Sequence, residues 1–309
     1  MKMPLNAEVK RIIEEYGKQQ LPEFSTPEQA REQLMKIYKP DNIELPLAKI
    51  KGFTVPGPEG EIAIRVYWPE GKSPLPALIY FGGGGFVIGN LNTCDERCQL
   101  LAYFTGCIIV SVNYSRAPEH PFPAAVEDGY AVLQWLQKNV KRFGVDPEKI
   151  GVCGENAGGN IAASLCLMSR DRQGPSICYQ MLIYPMLDNR LESKSQQEFA
   201  TGYLLTQTKL KWYWGHYLFH PSNGDNSYAV PLRAQNLSHL PPAQIITAEF
   251  DPLRDEAEEY ANRLRDASVP VHYHCYQGLV HGFLGMYSSV EKVNLVLSDM
   301  CDKVKAILF

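Results

Sequence analysis

The sequence predicts an α/β chain built on a mostly parallel sheet, and three observations carry that prediction. Short continuous apolar runs recur at Ala77–Phe81, Cys107–Val112, Ile150–Cys153, Gln180–Tyr184 and Gln244–Ala248. Strands of a parallel sheet covered by helices are buried on both faces and have this composition. Stretches with helical spacing separate them, at Thr93–Thr105, Ala124–Phe143, Ala157–Arg170, Arg254–Ser268 and Ser288–Phe309, and such alternation defines the class. The chain is also long and ordinary enough to bury a large core: 309 residues, 45% apolar and 21% charged. Those values exclude disordered, collagenous and coiled-coil chains.

The elements follow in order. Val9, Ile12, Ile13 and Tyr16 share one helical face, and Leu34, Ile37 and Tyr38 share another. Two amphipathic helices separated by Pro22–Pro27 fit residues 1–48. From Lys49 the period changes to two, and Ile62, Ile64 and Val66 alternate with Glu61, Ala63 and Arg65 as in a strand with one buried face. The five apolar runs and their helices come next, and Val271–Gln277 reads as a last strand. Residues 188–225 carry no strand signal and break the alternation. Within them Thr206–Phe219 has helical spacing and is crowded with Trp212, Tyr213, Trp214, Tyr217 and Phe219. An insertion after a sheet strand is a candidate lid. It is expected to pack with the N-terminal helices over the carboxyl ends of the strands, where open α/β sheets bind ligands. The expected division is therefore 1–48 as cap helices and 49–309 as the catalytic domain.

Thirty Lys+Arg against 34 Asp+Glu give a net charge of −4, which offers no nucleic-acid surface. The longest apolar stretches fall far short of a membrane span. Eight cysteines are too few for a disulfide scaffold of this length. The charged N-terminus has no apolar leader, so a cytoplasmic protein with reduced thiols is expected. Cys94 and Cys98 stand four apart on a helix, but no second pair or nearby His completes a metal site. A homodimer is left open.

The chemistry is concentrated in three places. Gly151–Asn160 (GVCGENAGGN) runs from a buried strand into a helix, and its Gly154 and Gly158 frame Asn156 as Gly-x-Asn-x-Gly. A nucleophile elbow has this frame and this strand–turn–helix context, with Ser in the centre; an ordinary glycine-rich turn shares the composition. Tyr80–Gly89 (YFGGGGFVIG) follows a buried strand and leaves four glycine N–H groups unobstructed, as an oxyanion loop requires. No Gly-Lys-Ser/Thr follows, which argues against a phosphate loop. Asp251 follows the strand ending at Ala248, and His281 follows Val271–Gln277. The chain order Asn156, Asp251, His281 is that of nucleophile, acid and base in an α/β-hydrolase sheet.

Together these segments, with Asn113–Ala125 (NYSRAPEHPFPAA), Glu127-Asp128, Tyr184-Pro185, Asp251–Glu256 (DPLRDE) and His281-Gly-Phe283, resemble the hormone-sensitive-lipase-like branch of the α/β-hydrolases, which includes bacterial carboxylesterases. The resemblance spans roughly 80–285. It implies an eight-stranded sheet with helices on both faces, a helical cap, no cofactor, and hydrolysis of acyl esters by a Ser-Asp-His triad. It also implies Gly83 and Gly84 as oxyanion donors with Ala157 as the third. Two positions depart from the family pattern. Gly82 stands where the family has the His of His-Gly-Gly-Gly, and Asn156 stands where it has the nucleophilic Ser.

An Asn amide has no hydroxyl and a delocalised nitrogen lone pair, so it cannot form an acyl-enzyme. Asn does tolerate the positive φ that an elbow imposes, so the fold is expected to survive while covalent catalysis does not. Losing a triad Ser costs about 10⁶ in rate. Deamidation of Asn156 would supply a carboxylate nucleophile, but Ala157 is not the small Gly that speeds such loss. The expectation is a carboxylesterase-type hydrolase for short-chain acyl esters, impaired as written. The alternatives are a pseudo-hydrolase that holds a small ester or carboxylate, and a lyase or cyclase that reuses His281.

Overall fold

A computed structural model describes residues 4–18, 26–38 and 45–309. Most of the Pro22–Pro27 separator and the 39–44 part of the N-terminal segment lie outside them. Eight strands form one sheet: β1 (Leu47–Gly57), β2 (Gly60–Pro69), β3 (Leu75–Phe81), β4 (Ile108–Val112), β5 (Val145–Glu155), β6 (Gln180–Ile183), β7 (Ala243–Phe250) and β8 (Val271–Val280), in the order β1-β2-β4-β3-β5-β6-β7-β8. The hairpin of β1 and β2 is antiparallel, β2 joins β4 antiparallel, and all later neighbours are parallel. This is the α/β-hydrolase fold. β1 entered the sequence reading only as the change of period at Lys49.

The apolar runs are strands because both of their faces are covered. Every residue of β3 and β4 is buried. Alternate side chains feed two cores. Ile79, Phe81, Val110, Val152 and Leu182 face the helices α4 (Ala124–Phe143), α5 (Ala157–Asp171) and α8 (Arg254–Asp266). Leu78, Tyr80, Ile109, Cys153 and Met181 face α3 (Asp95–Thr105) and α9 (Glu291–Leu308). Each large apolar side chain so buried contributes about 1.5–3 kcal/mol, which fixes the sheet that holds the site.

Helices α1 (Ala7–Lys18) and α2 (Pro27–Ile37) precede the sheet, and α6 (Lys194–Glu198) and α7 (Gln207–Leu218) fill the insertion after β6. Thr26 and Thr206 cap α2 and α7, each accepting from the N–H three residues on. The polar α2 is held by Arg31, whose guanidinium donates to the carbonyls of Val87 and Ala117 and to both Glu119 carboxylate oxygens. Lys209 of α7 lies 5.5 Å from the Tyr16 ring of α1. Tyr217 of α7 stacks on Phe86 at 3.5 Å and accepts the Phe122 N–H at its carbonyl. Phe219 instead points outward and is 64% exposed. All eight cysteines are unpaired thiols. No helix among the described residues is long and apolar enough to cross a membrane.

Candidate active site

The turn between β5 and α5 places residue 156 in the centre of the site. Asn156 has φ 53° and ψ −118°, a conformation that few non-glycine residues adopt. Its neighbours must be small. A Cβ on Gly158 would lie 1.9 Å from the Phe81 carbonyl oxygen, and one on Gly154 would lie 2.1 Å from that of Gly158. The Asn156 N–H donates to the Ile183 carbonyl, and its own carbonyl accepts from Asn160 and Met186. The backbone of the elbow is thus fixed on three sides.

The turn after β7 supplies Asp251, which is fully buried. Its Oδ1 accepts from the Leu253 N–H at 2.8 Å, and its Oδ2 takes a hydrogen bond from His281 Nδ1 at 2.8 Å. His281 follows β8 and keeps 11% of its side chain exposed. The carboxylate sets the imidazole tautomer, with the proton on Nδ1 and the lone pair on Nε2. That nitrogen accepts from Asn156 Nδ2 at 3.1 Å. The three residues expected to act together are therefore joined in one chain of hydrogen bonds.

The other end of the Asn156 carboxamide lies in the glycine loop. Its Oδ1 accepts from the N–H of Gly85 at 3.0 Å and of Gly84 at 3.3 Å. The amide orientation is over-determined, because the reverse would set NH₂ against two N–H donors. The sequence pointed to Gly83 and Gly84; the donors that converge here are one residue further on, Gly84 and Gly85. Gly83 lies against the elbow instead, where a Cβ would meet Asn156 Cβ and Glu155 at 3.3 Å. Ala157, the third expected donor, is the first residue of α5, where helix N–H groups lack internal partners. Gly85 has no room for a side chain. Its φ is +59°, and a Cβ would fall 2.1 Å from the Tyr213 ring of α7.

Several residues brace this site in a role that the sequence reading did not give them. The Gly82 carbonyl accepts from Tyr114 Oη at 2.8 Å, Arg116 donates to the Gly89 carbonyl, and Ala117 N–H donates to Phe86. With Arg31 on Val87, these contacts hold a loop whose expected His brace is missing. Beside Gly82 a cavity of about 20 Å³ is lined by Gly83, Cys94, Arg97, Tyr114 and Arg116, room for about one water. Glu155, next to Asn156, is buried and accepts from Tyr80, Tyr184 and Arg97. Burial alone would raise its pKa; the Arg97 guanidinium and the two hydroxyls outweigh it and hold the carboxyl below its ordinary range.

No substitute nucleophile stands in the elbow. Cys153 is fully buried in β5, and burial pushes its thiol well above the ordinary value. Ser111 is fully buried and faces Cys94. Among the described residues, no cluster of three or more His, Cys, Asp or Glu is arranged to hold a metal ion.

Comparison with known proteins finds relatives of the same fold. Residues 78–285 match a family described by the alpha/beta hydrolase fold. A carboxylic ester hydrolase of Mycobacterium tuberculosis, LipN, is 40% identical over 245 residues, which are 77% of this chain and 65% of that protein. The hyperthermophilic esterase of the archaeon Pyrobaculum calidifontis superposes with a TM-score of 0.92 at 37% identity, covering 98% of this chain and 99% of that one. A serine-to-alanine variant of an alpha/beta hydrolase from the metagenome of Lake Arreo gives a TM-score of 0.91 at 34% identity, covering 99% and 98%.

Proposed function

Because the chain belongs to the carboxylesterase-type family of α/β-hydrolases, we propose that it is an acyl-ester hydrolase whose covalent step is blocked at Asn156. The observation that carries this reading is the position of the Asn156 carboxamide. It reaches His281 Nε2 with one end and the Gly84 and Gly85 N–H groups with the other. A serine hydroxyl at this elbow would have its base at hand, and an ester carbonyl beside it would meet the oxyanion donors. We place the donor pair at Gly84 and Gly85, with Ala157 as the third. Helices α1, α2 and α7 act as the cap, and the aromatic face of α7 forms the wall on the acyl side. The substrates this arrangement suits are short-chain acyl esters, with the carbonyl on the loop and the acyl group against α7.

The alternative of a binding protein has less support. A ligand carbonyl on Gly84 and Gly85 would have to displace Asn156 Oδ1, which already satisfies both donors. The decisive experiment is hydrolysis of a short-chain chromogenic ester by the chain and by its Asn156→Ser variant. The variant is expected to gain at least about 10³-fold, short of the roughly 10⁶ of a triad Ser because Gly82 is also changed. Equal rates for the two proteins would overturn the reading.

A further inference from the structure

We propose that Asn156 is itself an amide substrate of this site: water hydrolyses its side-chain carboxamide, leaving aspartate at position 156 and releasing ammonia. The carboxamide already rests on the donors and beside the base that acyl transfer uses. Its carbonyl oxygen rests on two N–H donors, Gly85 at 3.0 Å and Gly84 at 3.3 Å. Its nitrogen, the leaving group, is 3.1 Å from His281 Nε2. Nδ1 of the same ring is held by Asp251 at 2.8 Å. The backbone bonds of Asn156 to Ile183, Asn160 and Met186 hold its main chain in the elbow conformation. His281 keeps 11% of its side chain exposed, so water can reach the site from the imidazole side, while Asn156 is buried.

The step balances with water as the only co-reactant. A water takes the place of the Asn156 Nδ2–H at the His281 Nε2 lone pair, gives that nitrogen a proton, and its oxygen bonds to the amide carbon. The carbonyl oxygen becomes an oxyanion on the Gly84 and Gly85 N–H groups. Collapse re-forms the carbonyl, breaks the C–N bond and passes the Nε2 proton to the departing nitrogen. Ammonia leaves, and the new carboxylic acid ionises. Nothing is oxidised or reduced. General acid–base assistance of this kind contributes about 10²–10⁴-fold.

This inference goes beyond the esterase reading, since it needs neither a serine nor an ester, but it uses the same base and donors. It is also distinct from the spontaneous route, in which the Ala157 nitrogen attacks the side chain and the ring opens to a mixture of aspartate and isoaspartate. Ala157 is not the glycine that favours that route.

The test follows the purified full-length chain by peptide mass mapping during incubation in heavy-oxygen water. The expected result is conversion of the peptide carrying residue 156 to aspartate alone, with one solvent oxygen incorporated, at least about 100-fold faster than in His281→Ala. An Asn156 that persists unchanged overturns the proposal, as does an aspartate–isoaspartate mixture or an equal rate in His281→Ala. The product assay on the parent chain decides the matter even where the variant does not fold. Ester hydrolysis by Asn156→Ser is measured alongside. If it is rescued while Asn156 stays intact, the self-hydrolysis proposal falls and the esterase reading stands.

Discussion

On the proposed reading, Asp251 and His281 form the acid–base half of the site, and Asn156 with the Gly82–Gly85 loop forms the other half, which carries both residues that differ from the Ser and His implied by the resemblance. The acid–base half is buried and closed: Asp251 is fully buried and spends both carboxylate oxygens on Leu253 and His281. The altered half keeps its shape by other means. Asn156 adopts the elbow conformation, Tyr114 and Arg116 hold the carbonyls of Gly82 and Gly89 beside the cavity, and Arg31 holds that of Val87. The difference teaches that the frame of the site and the reactive atom it would present are separable: the frame keeps its geometry with no hydroxyl at 156, because backbone hydrogen bonds and packing set it.

The largest effect that can break this comparison is at His281. In the Asn156→Ser background, His281→Ala is expected to return ester hydrolysis to the level of the Asn156 chain, a loss of at least about 10³-fold. A triad is strongly non-additive, so either single loss removes most of the rate. Steady-state kinetics of the double variant would contradict the picture if most of the rescued rate survived without His281.

Next is the loop itself. In the same background Gly85→Ala is expected to cost about 10²–10³ in kcat. The added methyl would fall 2.1 Å from the Tyr213 ring at a backbone φ of +59°, so the donor shifts or α7 moves away. Gly83→Ala meets its nearest atoms at 3.3 Å, which asks only for a small adjustment, and its loss in kcat is expected to be smaller. A larger loss at Gly83 than at Gly85 would return the donor pair to Gly83 and Gly84.

A smaller effect is expected from placing at 82 the His that the resemblance implies. Gly82→His places an imidazole toward the cavity beside Cys94 and Arg97. The loop is already braced by Tyr114 on the Gly82 carbonyl and by Arg116 on Gly89. The gain in the Asn156→Ser background is therefore expected to be below about tenfold, or roughly 1.4 kcal/mol of transition-state energy. A gain of hundreds would mean that those contacts do not substitute for the missing side chain.

These contrasts also mark what the sequence could and could not reveal. The central strands were legible because burial on both faces leaves a continuous apolar run, and the chain order of residues 156, 251 and 281 placed each at a strand end. The donor pair was not, because four identical glycines carry no signal of which N–H turns inward. That is set by backbone torsions, φ +125° at Gly84 and +59° at Gly85. The carboxamide's own occupancy of the donors was equally hidden, since it is a rotamer choice decided by groups 71 to 125 residues away in sequence. Arg31 reads in sequence as one more charge on a polar helix. Its partners lie 56 to 88 residues further on.

That same Arg31 gives the smallest effect and a test of whether α2 belongs to the frame. Its guanidinium bridges α2 to the Val87 and Ala117 carbonyls and to Glu119. The hydrogen bonds from Arg31 are the main cause that lowers the Glu119 carboxyl to about 2. The folded-state pKa is depressed, so the stability contributed by this pair is present above the ordinary carboxylate range. It is lost as pH falls through about 2. Both side chains are partly exposed, and exposed ion pairs contribute about 0–1 kcal/mol. Arg31→Ala is therefore expected to lower overall stability at neutral pH by no more than about 1 kcal/mol for the ion pair, while freeing the two backbone carbonyls. The local consequence should exceed the global one. Amide exchange in α2 is expected to rise and that of the central strands to stay unchanged, because segments with few buried contacts open independently. If exchange in α2 is the same with and without Arg31, the helix is held by other contacts and the clamp is not what ties it to the oxyanion loop.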